Sequence, residues 1–208
     1  MKNIIISISL ILIYFKSYSQ DPVQNFLKEA SDFYGQKNYK QAQMSLQDAI
    51  NELNKLMSEQ VGNLLPTEIN GLKEVAGGSS NTALGAMGGN QISKQYKNPA
   101  LEENEAEIQI LTNSPMMSAM NMYLSNPALM GEGAKSVRVG SQRAILKTEM
   151  TDYYGNSDVS KKIRSTQIQI PLSQTLITIQ AKGFANEQAE LAFAAKLDFV
   201  KIKQAVGE

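Results

Sequence analysis

The side chains that carry most enzymatic chemistry near neutral pH are missing from this chain. Its 208 residues include no Cys, no His and no Trp. Without Cys there is no thiolate nucleophile, no disulfide and no lipoprotein acyl anchor. Without His there is no imidazole base and no ordinary zinc site. Ser-His-Asp and Cys-His catalysis are therefore excluded. Carboxylates, amines, phenols and thioethers remain, and three groups of them stand out. Glu102, Glu103, Glu105 and Glu107 form an acidic run. Met116, Met117, Met120 and Met122 sit within SPMMSAMNMYL. Tyr34 with Tyr39, and Tyr153 with Tyr154, are closely spaced phenols.

The elements that hold these residues decide what they can do. Glu105 and Glu107 alternate with Ala106, Ile108 and Ile110, so a strand over Glu105–Thr112 turns them to solvent. The run also lacks the Asp/Asn/Gly loop that wraps a hard cation, which favours a solvated edge over a calcium site. Ser114 and Pro115 cap and open a helix over Ser114–Leu124. Met116, Met120 and Leu124 line one stripe of it, with Met117 and Tyr123 beside them. Thioethers suit Cu(I), and the same spacing suits a deformable core stripe or a soft binding lip. Tyr153 and Tyr154 precede a turn tipped by Gly155-Asn156, where they could stack on a sugar or peptide or tuck one ring against a sheet. The candidate partner-binding residues are Phe33, Tyr34, Tyr39, Met117, Tyr153 and Tyr154. No catalytic residue, metal ligand or cofactor is assigned.

The frame around these candidates begins with Met1–Ser19, which reads as a secretory signal peptide. Lys2 supplies a positive start, Ile4–Phe15 an apolar run, and Ser17 and Ser19 the small residues before cleavage at Gln20. The run is about a dozen residues, short of the roughly 20 that cross a bilayer. No later segment is long enough to span, so the expected location is periplasmic. Lys+Arg and Asp+Glu are both 20. Losing Lys2 and Lys16 with the leader gives a slightly acidic mature chain, which argues against a nucleic-acid partner.

Asp21–Gln60 reads as a helical hairpin. Asp21-Pro22 is an N-cap with proline at the first helical position. Phe26, Ala30, Phe33 and Tyr34 recur at helical spacing. Gly35-Gln36-Lys37-Asn38 breaks the helix, and Tyr39–Leu56 resumes it with Ala42, Leu46, Ala49, Ile50 and Leu53 on one face. With Ala30, Phe33, Tyr39, Ala42, Leu46 and Ala49 in these positions, the hairpin resembles a single tetratricopeptide repeat. The resemblance implies a peptide- or protein-docking element that stacks on a neighbour to bury its faces. It lacks the closing proline near Asn54, and no second copy follows.

Gly62–Leu72 opens the next domain. Ala76–Asn90, AGGSSNTALGAMGGN, reads as a flexible loop. It is not a phosphate loop, because no Gly-Lys-Ser/Thr follows. Strands are expected over Ile92–Lys97, Glu105–Thr112, Ser136–Val139 and Ala144–Asp152. Lys161–Gly183 is a β-hairpin reversing at Pro171–Gln174. Ile168, Ile170 and Leu172 share a face, as do Ile177, Ile179 and Ala181. Asn186 caps one helix over Glu187–Ala205, with Leu191, Ala194, Ala195, Phe199 and Ile202 as its apolar face. The Leu64-Leu65-Pro66 stretch, Asn113-Ser114-Pro115-Met116-Met117 and Ser125-Asn126-Pro127 together resemble a group of small exported bacterial α+β proteins. That likeness implies fold and location and names no activity. The element order also resembles the α/β/α sandwich of the PsbP/Mog1 type.

The expected architecture is α+β: a mostly antiparallel sheet with covering helices, preceded by an αα-hairpin. The expected organisation is a signal peptide at 1–19, the hairpin at 20–61 and the sheet domain at 62–208. The expected function is non-enzymatic docking of a partner protein or envelope component. The alternative is a small-molecule or Cu(I) carrier using residues 114–124.

Overall fold

The computed structural model describes residues 21–83, 89–112, 133–154 and 161–208. The chain divides into two compact units, the first ending at Ala49 and the second running from Ile50 to Glu208.

The first unit is helical. Helix α1 spans Pro22–Gly35 and opens as its sequence dictates: Asp21 Oδ1 accepts from the Val23 amide at 3.0 Å, with proline at the start. After Gly35 the amides of Lys37 and Asn38 donate back to Tyr34 and Phe33, and Lys37 takes a φ of 59°. Helix α2, Tyr39–Leu64, then begins. It is longer than the pattern 39–56 implied, and only its residues up to Ala49 belong to this unit. Val23, Ala30, Ala42, Ser45 and Ala49 are the buried residues. Four of the five are Ala or Ser, and such small side chains let helix backbones approach closely.

Among its described residues the second unit is built on eight strands: β1 Glu68–Ile69, β2 Leu72–Ala83, β3 Asn90–Lys97, β4 Glu105–Thr112, β5 Ala134–Val139, β6 Gln142–Tyr153, β7 Lys161–Pro171 and β8 Leu176–Lys182. They form one antiparallel sheet in the order β1-β2-β3-β4-β8-β7-β6-β5. Helices α3, Glu187–Ala194, and α4, Phe199–Ala205, follow. The α+β class is as the sequence implies.

Alternation makes the sheet two-faced. Ile108, Ile179 and Ile168 fall in one cross-strand row, and Ile110, Ile177 and Ile170 in the next; all six are fully buried. The offset rows are polar, with Glu107, Gln180 and Gln167 in one and Gln109, Thr178 and Gln169 in the other. The apolar face joins one core with Val61, Leu65, Phe193, Leu197, Phe199, Ile202 and Val206. Phe193 meets Tyr96 and Phe184 edge-on at 5.8 and 5.6 Å between ring centroids, the geometry that aromatic quadrupoles prefer. Val61 shows why α2 continues past its expected end: its last turn carries a core side chain, and Leu65 just beyond it carries another.

Three expectations need correction. The supposed loop 76–90 is ordered up to Ala83 as part of β2. Ser79–Ala83 pairs in register with Asn90–Lys94, and the Gly77-Gly78 stretch is absorbed as a bulge between Glu74 and Ser79. Pairing with β3 overrides the poor strand propensity of Gly and Ser. The single terminal helix is two. Helix α3 stops at Ala194, and Asp198 starts α4 by accepting from the Lys201 amide at 3.0 Å. The buried positions of α3 are Glu190, Phe193 and Ala194, while Ala195 is exposed. β1 and the first part of β2 were also missed. Of the likenesses drawn from sequence, the fold supports the coarser pattern of a helical hairpin followed by an antiparallel sheet.

Candidate functional site

Helix α2 displays apolar side chains that its own fold leaves uncovered. Leu46, Ile50 and Leu53 are each nearly half exposed. Their spacing of four and three residues puts them on one stripe, and Tyr39 extends it two turns toward the N-terminus. Leu56 is exposed on its flank. Of the apolar face formed by Ala42, Leu46, Ala49, Ile50 and Leu53, only the two alanines are buried. The face that closes is the small-residue face, and the large side chains are displaced to the next stripe.

At the turn, Tyr34 and Tyr39 come together with ring centroids 5.9 Å apart, tilted by 59°. They are 68% and 62% exposed, and Phe33 is half-buried beside them in sequence. Tyr153 and Tyr154 lie in the sheet unit. Tyr153 closes β6 opposite Lys161 and is half-buried, and Tyr154 is exposed. Met117, with the whole of 114–124, lies outside the described residues. The acidic run is engaged with neighbours. Lys161 donates to Glu103 at 2.7 Å, Lys182 to Glu105 at 2.9 Å, and Gln109 to Glu107 at 2.9 Å. The Lys161 hydrogen bond holds the Glu103 carboxyl below its ordinary pKa. Among the described residues no group of three acidic side chains is placed to hold a metal ion.

Within the second unit, a cleft of about 500 Å³ is lined by Ser58, Asn63, Ser79, Asn81, Ile92 and Lys94, among others. Lys94 is its notable member and was missed from sequence. Its ammonium is buried and donates to the Leu65 carbonyl at 3.2 Å and to Glu74 Oε2 at 3.0 Å. Ser79 Oγ donates to the other Glu74 oxygen at 2.9 Å. Tyr96, on the same strand face, donates to the Pro66 carbonyl at 2.8 Å, and burial pushes its phenol pKa up. A signal was present: Lys94 alternates with Ile92 and Tyr96, which places it inward.

The hydrogen bond from Lys94, then that from Ser79, lowers the Glu74 pKa. A carboxyl whose folded-state pKa is depressed stabilises the fold above its unfolded value and loses that contribution as pH falls through the folded one. Urea midpoints measured from about pH 7 to about pH 3 should therefore decline less steeply for Glu74→Gln than for the parent chain. Equal slopes would mean that the pair does not form.

No family model matches this chain, and no curated relative matches it. Among solved structures it is similar to a protein from Bacteroides thetaiotaomicron, at 12% identity and a TM-score of 0.39. The match covers 60% of this chain and 42% of the other. The chain thus spans less than half the length of that structure. No helix among the described residues is long and apolar enough to cross a membrane.

Proposed function

We propose that this protein is a non-enzymatic docking component of the cell envelope, and that α2 receives an amphipathic helix of a partner protein. The observation that carries the reading is the uncovered stripe of Leu46, Ile50 and Leu53. A run of that spacing over about two turns is what the groove of another helix takes up. Its flanks favour a partner without strong charge. On one side it is bordered by Gln43, Gln47 and Asn54, which are uncharged. Export is supported by the leader-like pattern of residues 1–19.

The test is a paired purification from the native envelope with the parent chain and with the Leu46→Glu, Leu53→Glu double variant. Placing charge at two buried anchors should weaken the complex at least ~100-fold, since each tenfold corresponds to about 1.4 kcal/mol. Circular dichroism should be unchanged, because neither side chain is part of the core. If both proteins retain the same partner, the stripe is not the docking surface. If the parent chain instead dimerises in sedimentation and the variant does not, the occupant is a second copy and the partner reading falls.

A further inference from the structure

The β5–β6 hairpin carries a charge arrangement that the docking role does not use. Arg138 and Arg143 are direct cross-strand partners, with the turn Gly140-Ser141 between their strands. Opposed residues in an antiparallel pair share a face with Cβ atoms about 5 Å apart, and like charges there repel. The chain has three arginines. The third, Arg164, is closed onto Glu190. Seven lysines among the described residues also have a carboxylate within ion-pair distance. Arg138 and Arg143 have none among the described residues.

Their surroundings complete a pocket for a counter-charge. A cleft of about 500 Å³ is lined by Ser136, Val137, Arg138, Ser141 and Arg143, with no acidic side chain. Arg143 Nε donates to Ser136 Oγ at 3.2 Å, which orients that guanidinium and leaves its terminal nitrogens available. Two guanidinium forks and two hydroxyls match the tetrahedral oxygens of a phosphoryl group. Bidentate Arg contacts suit it geometrically, and a dianion neutralises both charges where a carboxylate would neutralise one.

We infer that the Arg138–Arg143 cleft binds the phosphoryl group of a phosphate monoester. The cleft is larger than a phosphate ion, so there is room for the molecule that bears it. Such a group could be offered by a soluble ester or by a lipid headgroup, and the experiment separates the two.

The full chain is titrated with glycerol phosphate by calorimetry at fixed ionic strength, and then with vesicles of phosphatidic acid in phosphatidylcholine, against phosphatidylcholine alone. Arg138→Gln and Arg143→Gln are compared with Lys135→Gln, whose partner is Glu187. The expected result is saturable binding that falls about tenfold or more in each arginine variant and is unchanged in the lysine variant. Binding of glycerol phosphate assigns a soluble ester, and binding of the phosphatidic acid vesicles alone assigns a membrane headgroup. Either arginine variant should also raise the thermal midpoint without ligand, because it removes the cross-strand repulsion. The inference is overturned if neither ligand binds, if chloride at equal ionic strength competes as well as phosphate, or if the arginine variants bind like the parent chain.

Discussion

Replacing Arg164 by Met should cost the second unit about 3–5 kcal/mol of stability, the range for breaking one partner of a buried ion pair. Glu190 lies on α3 with no solvent exposure. Arg164 Nε and Nη2 reach its two carboxylate oxygens, each at 3.1 Å, and Thr166 Oγ1 donates to Oε1 at 2.8 Å. Thr166 in turn shares a hydrogen with Thr148 at 2.9 Å on the neighbouring strand. The hydrogen bonds to Glu190 hold the Arg164 pKa above its ordinary value. Losing the guanidinium leaves a buried carboxylate with one hydroxyl donor, and desolvation is no longer offset. Losing both charges is a different matter. In the Arg164→Met, Glu190→Leu double variant no buried charge remains and Thr166 keeps Thr148, so most of the loss should be recovered. Urea denaturation of the two single variants and the double variant completes the cycle. A double variant as unstable as Arg164→Met alone would show that α3 docks through something other than this pair.

The same carboxylate explains where reading from sequence failed. The buried face of α3 follows 190, 193 and 194, an ordinary helical progression whose first place is a glutamate. An apolar face read as Leu191, Ala194 and Ala195 passes over Glu190 and hides the break before Asp198. The hairpin 161–183 was legible because strict alternation of isoleucine with polar residues has one interpretation. Strand β4 was legible for the same reason. Strand β2 was not: AGGSSNTA carries no pattern, and its extended form comes from pairing with β3. The one local cue for the β1–β2 hairpin was Asn70-Gly71, whose φ values of 51° and 86° are those that a tight reversal demands. The α2 stripe was legible as apolar but not as exposed, because periodicity gives the phase of a helix and not which stripe its neighbours cover. Arg138 and Arg143 become a pair only once the register of β5 on β6 is known.

That dependence on register rather than composition reaches its extreme at Gly183, where Gly183→Ala should destabilise the sheet unit by about 4 kcal/mol or more, a loss reserved for a short list of causes. Two of them coincide here. Gly183 follows β8 with a φ of 66°, and its amide donates to the Arg164 carbonyl at 2.9 Å, so the conformation is held by the ladder. A side chain in that region costs about 1–2 kcal/mol. The added methyl would also overlap the Glu103 carbonyl oxygen and lie 2.7 Å from its carbon. That segment cannot recede easily, because the buried Asn104 beside it donates to the Lys182 carbonyl at 3.3 Å and is bound by Asn98 at 3.2 Å. Gly71 separates the two effects. Its φ is 86°, and nothing lies within 4 Å of the position its Cβ would take. Gly71→Ala should therefore show the conformational cost alone, about 1–2 kcal/mol, and the excess at Gly183 measures the close approach of the Glu103 backbone. Equal urea midpoints for the two variants would place the 102–104 turn farther from the end of β8 than this packing requires.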